Sequence, residues 1–190
     1  MSARSALGLT LLFLAPACSG GGTGSDVVPG GSGSSTNLVA DFVPDRPVPA
    51  AHDVSMAKSG ASGPILQVEV RVTGTNDVFG AAFDVLFDAA RLEYVSHSAG
   101  TLLESGGSNV QYLVSESAPG RLVVSASILQ PGAAGVDVSG TKPLVRLTFR
   151  AVEAGSSTMT FDNEDLLDDH PPGPSPIAGL TWYGGTAEAD

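Results

Sequence analysis

From Phe79 to Val95 the chain reads Phe-Gly-Ala-Ala-Phe-Asp-Val-Leu-Phe-Asp-Ala-Ala-Arg-Leu-Glu-Tyr-Val. Ala81, Phe83, Val85 and Phe87 fall on one parity, while Ala82, Asp84 and Asp88 fall on the other. A period of two is what a strand needs when one of its faces is buried and the other wetted. Leu86 alone breaks the alternation, a large apolar residue at an outward position. Asp88-Ala89-Ala90-Arg91 then predicts a turn in which the Asp88 carboxylate accepts from the backbone ahead of it, and Leu92 to Val95 resumes as a second strand. The unit commits this part of the chain to a sheet.

The same pattern recurs along the sequence. Leu66, Val68, Val70 and Val72 alternate with Gln67, Glu69 and Arg71, and Val145, Leu147, Phe149 and Ala151 alternate with Arg146, Thr148 and Arg150. Gly74-Thr75-Asn76-Asp77 predicts a turn into the Phe79 strand. Pro119-Gly120 predicts a tight turn that sets Leu122 to Ser127 antiparallel to Val110 to Val114. Ser157 to Phe161 and Leu180 to Tyr183 bring the total to about nine strands. No later stretch keeps a helical period. With 24 Gly and 13 Pro, the composition agrees with short strands joined by turns. The expected fold class is all-β, a jelly-roll β-sandwich in which each sheet buries one face against the other.

The N-terminal segment has a different composition. Residues 1–17 carry Arg4 and then Leu7, Leu9, Leu11, Leu12, Phe13 and Leu14, too short and lopsided to span a bilayer, and read as an export signal. Leu14-Ala15-Pro16-Ala17-Cys18 looks like a bacterial lipobox, which makes Cys18, the single cysteine, the expected lipidation site. An ordinary secretory signal with a chance cysteine is the competing reading. Residues 18–50 read as a Gly/Ser/Pro-rich tether, its Gly/Ser part spanning roughly 25 Å as a flexible coil, with Leu38 to Val43 either an edge strand or extended. Residues 51–186 are then the folded domain. By its likeness to Gram-negative lipoproteins, Ser19 after the cysteine implies the outer membrane. Gly20 to Gly24 follow no strand and open no helix, so they are not a phosphate loop.

The formal charge of −11 excludes nucleic acid as a partner, because phosphate binding needs clustered Lys and Arg. His52, His97 and His170 follow no ligand spacing, and no Gly-x-Ser-x-Gly elbow occurs, so no catalytic residue is expected and the chain reads as a non-enzyme. The densest charge is Asp162-Asn163-Glu164-Asp165-Leu166-Leu167-Asp168-Asp169. Asp162, Asp165 and Asp168 are candidate Ca²⁺ ligands, although the run lacks the central Gly and terminal Glu of an EF-hand and reads first as a solvated acidic loop. Trp182 and Tyr183 are the candidate sugar-stacking pair, against a placement of Trp182 in the core.

Several segments, in order, resemble cohesin domains, the receptor modules of cellulosome scaffolds. They are Val68 to Val72, Phe79 to Val95, Gly120 to Ser127, Leu144 to Arg150 and Thr160-Phe161-Asp162. The resemblance spans about Asp53 to Gly185. It implies a jelly-roll sandwich that binds a dockerin module on the exposed face of one sheet, with Asp84, Leu86, Arg121, Val123 and Ser125 as the expected contacts. Gly80 and Ala82 stand where well-studied type I cohesins carry Asn and Asp. The expectation is therefore a monomeric, lipid-anchored receptor for dockerin-bearing proteins linked to polysaccharide breakdown. A carbohydrate-binding module for polysaccharide and a structural envelope lipoprotein are the rivals.

Overall fold

The computed structural model describes residues 37–106, 109–130, 132–169 and 173–190, and Cys18 with the leader, the Gly/Ser run and His170 lie outside them. Twelve strands and one helical turn, α1 (Thr101–Glu104), make up the described chain. The larger sheet holds β1 (Ala40–Pro44), β12 (Gly185–Ala189), β9 (Gly155–Asp168), β4 (Gly80–Leu86), β7 (Arg121–Ile128) and β6 (Val110–Ala118) in that spatial order, with β10 (Ser175–Pro176) paired to β9. The smaller sheet runs β11 (Thr181–Tyr183), β2 (Asp53–Ser62), β3 (Ile65–Val78), β8 (Val136–Ala151) and β5 (Leu92–Ala99). The two sheets close over a core in which Phe83, Phe149, Leu66, Leu122, Leu147 and Met159 are fully buried. This is the jelly-roll β-sandwich expected from the period of two.

Local chemistry explains the best-defined turns. Ala90 N–H donates to the Asp88 carboxylate at 2.9 Å, and Leu92 N–H donates to the Asp88 carbonyl at 2.9 Å, so the Asp88 turn forms as read. At Pro119-Gly120, Gly120 takes φ +79° and its carbonyl accepts from Phe87 N–H at 2.9 Å. A Cβ there would sit 2.4 Å from the Phe87 carbonyl oxygen, so glycine is required for space as well as for angle.

Three expectations need correction. Gly74 to Asp77 is not a turn ahead of the Phe79 strand: Gly74 and Asp77 take φ +56° and +59°, and β3 runs on through two register shifts against β8. These kinks carry the chain between sheets, since Phe79 N–H already donates to Leu167 of β9 at 2.7 Å. The acidic run is no loop, because residues 162–168 continue β9. The sheet also exceeds the expected domain bounds of 51 and 186. Val39 N–H donates to the Asp190 carbonyl at 2.9 Å, and β1 pairs with β12 from Ala40↔Ala189 to Pro44↔Gly185.

On the outer face of the smaller sheet, Glu69 is nearly buried beneath Arg71 and Arg146. Burial alone would push its carboxyl up, but hydrogen bonds from Arg146 and Arg71 outweigh that and hold it below the ordinary 4.5. A carboxylate depressed on folding stabilises the protein above its unfolded pKa and ceases to do so as pH falls through its folded pKa. Glu69→Gln is therefore expected to cost about 1–3 kcal/mol at neutral pH. Melting curves of both proteins in increasingly acid buffer should converge below the ordinary 4.5, because the wild type loses an interaction the variant never had.

Candidate protein-binding face

The outer face of β9, β4, β7 and β6 is assembled by register. Leu86 stands opposite Arg121 on β7 and Thr160 on β9, Asp84 opposite Val123 and Asp162, and Ala82 opposite Ser125 and Asp165. On β6, Ser115 faces Val123 and Leu113 faces Ser125. The five expected contact residues, Asp84, Leu86, Arg121, Val123 and Ser125, thus share one surface on two neighbouring strands. Their roles in it differ.

Asp84 is only 6% exposed, because Arg121 lies over it. Arg121 Nε donates to Asp84 Oδ2 at 2.9 Å, its Nη2 donates to the same oxygen, and Nη2 also reaches Asp162 Oδ2 at 2.9 Å. Asn163 Nδ2 completes the set, donating to Asp84 Oδ2 at 2.8 Å. Asn163 has φ +50° and lies at a register shift between β4 and β9, so a bulge turns its side chain toward Asp84. The hydrogen bond to Asp84 raises the Arg121 pKa above its ordinary value. Asp84 is an anchor under Arg121, and a partner would meet Arg121, Asp162 and Asn163.

Beside this network the face turns apolar. Leu86 and Val123 are half-buried, and Leu113 is 59% exposed at the centre of β6. A shallow depression lined by Gln111, Leu113, Ser125 and Ser127 lies at the β6–β7 end. Sequence reading missed Leu113 and Asn163. Leu113 stands between Tyr112 and Val114 in an apolar run, and parity alone would have placed it outward. Nothing in the sequence announces the bulge at Asn163.

The other candidates are not brought together. Asp162 pairs with Arg121, Asp165 lies opposite Ala82, and Asp168 accepts from Ser175 N–H at 3.2 Å and from its hydroxyl at 2.8 Å. Among the described residues no three His, Cys, Asp or Glu side chains are grouped to hold a metal ion. Trp182 and Tyr183, being adjacent on a strand, face opposite ways. Trp182 packs against Phe161 and Phe83, with ring centroids 5.0 and 5.5 Å away, while Tyr183 carries Arg46 over its ring at 5.2 Å. The two rings form no common strip. His52 is exposed with φ +67°, and His97 Nδ1 meets the Tyr94 hydroxyl at 2.9 Å.

Fold and face together define a class: an all-β jelly-roll sandwich that offers one broad sheet face of mixed apolar and ion-paired side chains to solvent. A sequence model of the cohesin domain matches residues 53–170, more than half of the chain, and the chain belongs to that family. Three solved cohesins share the fold. The sixth cohesin of the Acetivibrio cellulolyticus scaffoldin B, solved in complex with a mutant Cel5 dockerin, is 21% identical, with a TM-score of 0.53 over 70% of this chain and 97% of that one. The seventh ScaB type I cohesin of Pseudobacteroides cellulosolvens is 14% identical, with a TM-score of 0.53 over 77% and 89%. The type II cohesin dyad from the ScaA scaffoldin of Acetivibrio cellulolyticus gives a TM-score of 0.58 at 17% identity, over 71% of this chain and 48% of the dyad. No curated protein matches the chain.

Proposed function

We propose that this chain is a non-catalytic, monomeric receptor module that binds dockerin-bearing proteins through the outer face of β9, β4, β7 and β6. The observation that carries the reading is family membership combined with a sheet face that exposed Leu113 shares with the Arg121 network. A flat face without a deep cleft suits a macromolecule better than a small substrate. Leu113, Val123 and Leu86 supply the desolvated centre of such an interface, and Arg121, Asp162 and Asn163 supply its polar side. On this reading the module carries no cofactor of its own, and any calcium requirement belongs to the partner. Lipidation at Cys18 would hold it at an envelope surface, most plainly the outer membrane, where it would gather proteins for polysaccharide breakdown.

The test is capture from secreted and envelope fractions with immobilised wild type and with Leu113→Asp combined with Val123→Arg. Wild type should retain proteins carrying paired calcium-binding dockerin repeats and release them in EDTA. The double variant, which alters two outward positions, should melt as the wild type does and retain none. Wild type that retains no dockerin protein, or a variant that retains them equally, would overturn the reading.

A further inference from the structure

The described residues carry eight Lys and Arg against nineteen Asp and Glu, and these charges are unevenly placed. Four of the eight bases, Arg46, Arg71, Arg146 and Arg150, stand at outward positions of the smaller sheet or beside its edge, and the acids they pair with there are Asp53, Glu69 and Glu93. Lys58 and Lys142, with Asp77 and Asp137, also lie on β2, β3 and β8, which leaves Arg91 and Arg121 to share the rest of the surface with most of the acids. Depth sharpens the contrast. Asp53 and Glu69 have side chains 7% and 9% exposed, whereas the four guanidiniums range from 33% to 50%. Asp53 and Glu69 therefore act as anchors beneath arginine, and Glu93, 57% exposed, is the one acid of the three that solvent meets, beside Arg150.

The arginines are held in fixed poses. Arg71, from the same strand, and Arg146, from β8, grip the two oxygens of Glu69, Arg146 Nε also donates to Ser59 Oγ at 3.2 Å, and Arg46 is held by Asp53 at 3.0 Å over the Tyr183 ring. Gln67 and Thr148 form the row between Arg146 and Arg150, and a groove lined by Gly60, Ala61, Ser62, Ile65 and Gln67 lies beside it. Guanidiniums fixed this way lose little entropy on meeting an anion and keep further N–H donors free for it.

We propose that the outer face of β2, β3, β8 and β5 is a second docking surface, and that its occupant is a linear polysaccharide bearing carboxylates. Charge complementarity makes the occupant an anion. The intervening rows decide its kind: Gln67, Thr148 and Ser96 offer hydroxyl and amide groups that match sugar hydroxyls. They lack the exposed leucines or free rings that enter a bilayer or stack on bases. The surface lies on the opposite side of the sandwich from β9, β4, β7 and β6, so a protein partner and a polymer can be held at once.

The experiment is retention of the full chain on immobilised polygalacturonate, with the fully methyl-esterified polymer as the neutral control. The variant is Arg46→Gln with Arg150→Gln, which leaves both arginines on Glu69, while Asp53 keeps its 2.7 Å bond from Ala50 N–H. Wild type should bind the charged polymer only, and more weakly as salt rises. The double variant should lose only a few degrees in melting temperature, remain folded, and bind roughly tenfold more weakly, the loss expected of about 1.4 kcal/mol in charge-assisted contacts. Leu113→Asp with Val123→Arg should bind the polymer as wild type does, which separates this surface from the protein-binding face. Failure of wild type to bind, equal binding of the neutral polymer or of the arginine variant, or binding confined to phosphatidylglycerol vesicles or to a second copy of the chain would each overturn the proposal.

Discussion

Replacing Phe83 by alanine should lower the unfolding free energy by about 3–5 kcal/mol, the range for removing a large ring from a closed core. Phe83 is 2% exposed and lies 5.5 Å from both Phe161 and Trp182, which in turn stack at 5.0 Å. The three rings come from β4, β9 and β11 and so join the two sheets. Their T-shaped and tilted packing leaves neighbours that cannot close over the cavity without breaking a second aromatic contact. A melting temperature reduced by roughly 10 °C is the expected readout for a folded unit of this size. The control is Leu129→Ala, at a residue 50% exposed, which should stay within about 0.5 kcal/mol of wild type.

Gly100→Ala should be nearly as damaging for a different reason. Gly100 has φ −89°, so its backbone suits any residue, yet a Cβ would lie 2.2 Å from the Pro143 carbonyl oxygen and 2.5 Å from the Leu144 carbonyl carbon. Both contacts are backbone and cannot yield by a side-chain rotation. Relief requires β5 and β8 to part where Gly100 N–H donates to Leu144 at 3.0 Å, dragging the fully buried Leu102 and Leu103 of α1. A loss of about 3 kcal/mol is expected, at the upper end of overpacking effects. Gly140→Ala separates the mechanisms. Gly140 has φ +76° and nothing within 4 Å of a Cβ, so only the backbone angle is penalised, by about 1 kcal/mol. Equal melting shifts in the two variants would show that close approach does not limit position 100.

The parts of the fold visible in the sequence are those whose instructions are local. Phe83, Val85, Leu66 to Val72 and Val145 to Ala151 announce their faces by alternation, and Asp88 and Pro119-Gly120 announce their turns by chemistry within a few residues. β12 was invisible because Gly-Thr-Ala-Glu-Ala has only alanines to bury, and β2 offers only Val54 and Met56 before small residues take over. The acidic end of β9 looked like loop because its strand character comes from pairing with β4, a strand far upstream in the sequence. The five candidate contacts fall on the paired strands β4 and β7, but the burial of Asp84 and the bulge at Asn163 arise from tertiary pairing. Trp182 was ambiguous for the same reason, since only the parallel pairing of β11 with β2 turns it inward beside Val54.

The antiparallel pairing of β1 with β12 sets Val39 and Asp190 side by side, joined by hydrogen bonds of 2.9 and 3.2 Å. Tension applied between those two residues would act on one end of the strand pair and open it like a zip, one bond after another, at low force. Tension between Val39 and a point on β4 runs instead across β12 and β9. On either path the load reaches the β1–β12 pair first, so that short edge pairing sets the force at which the domain begins to open.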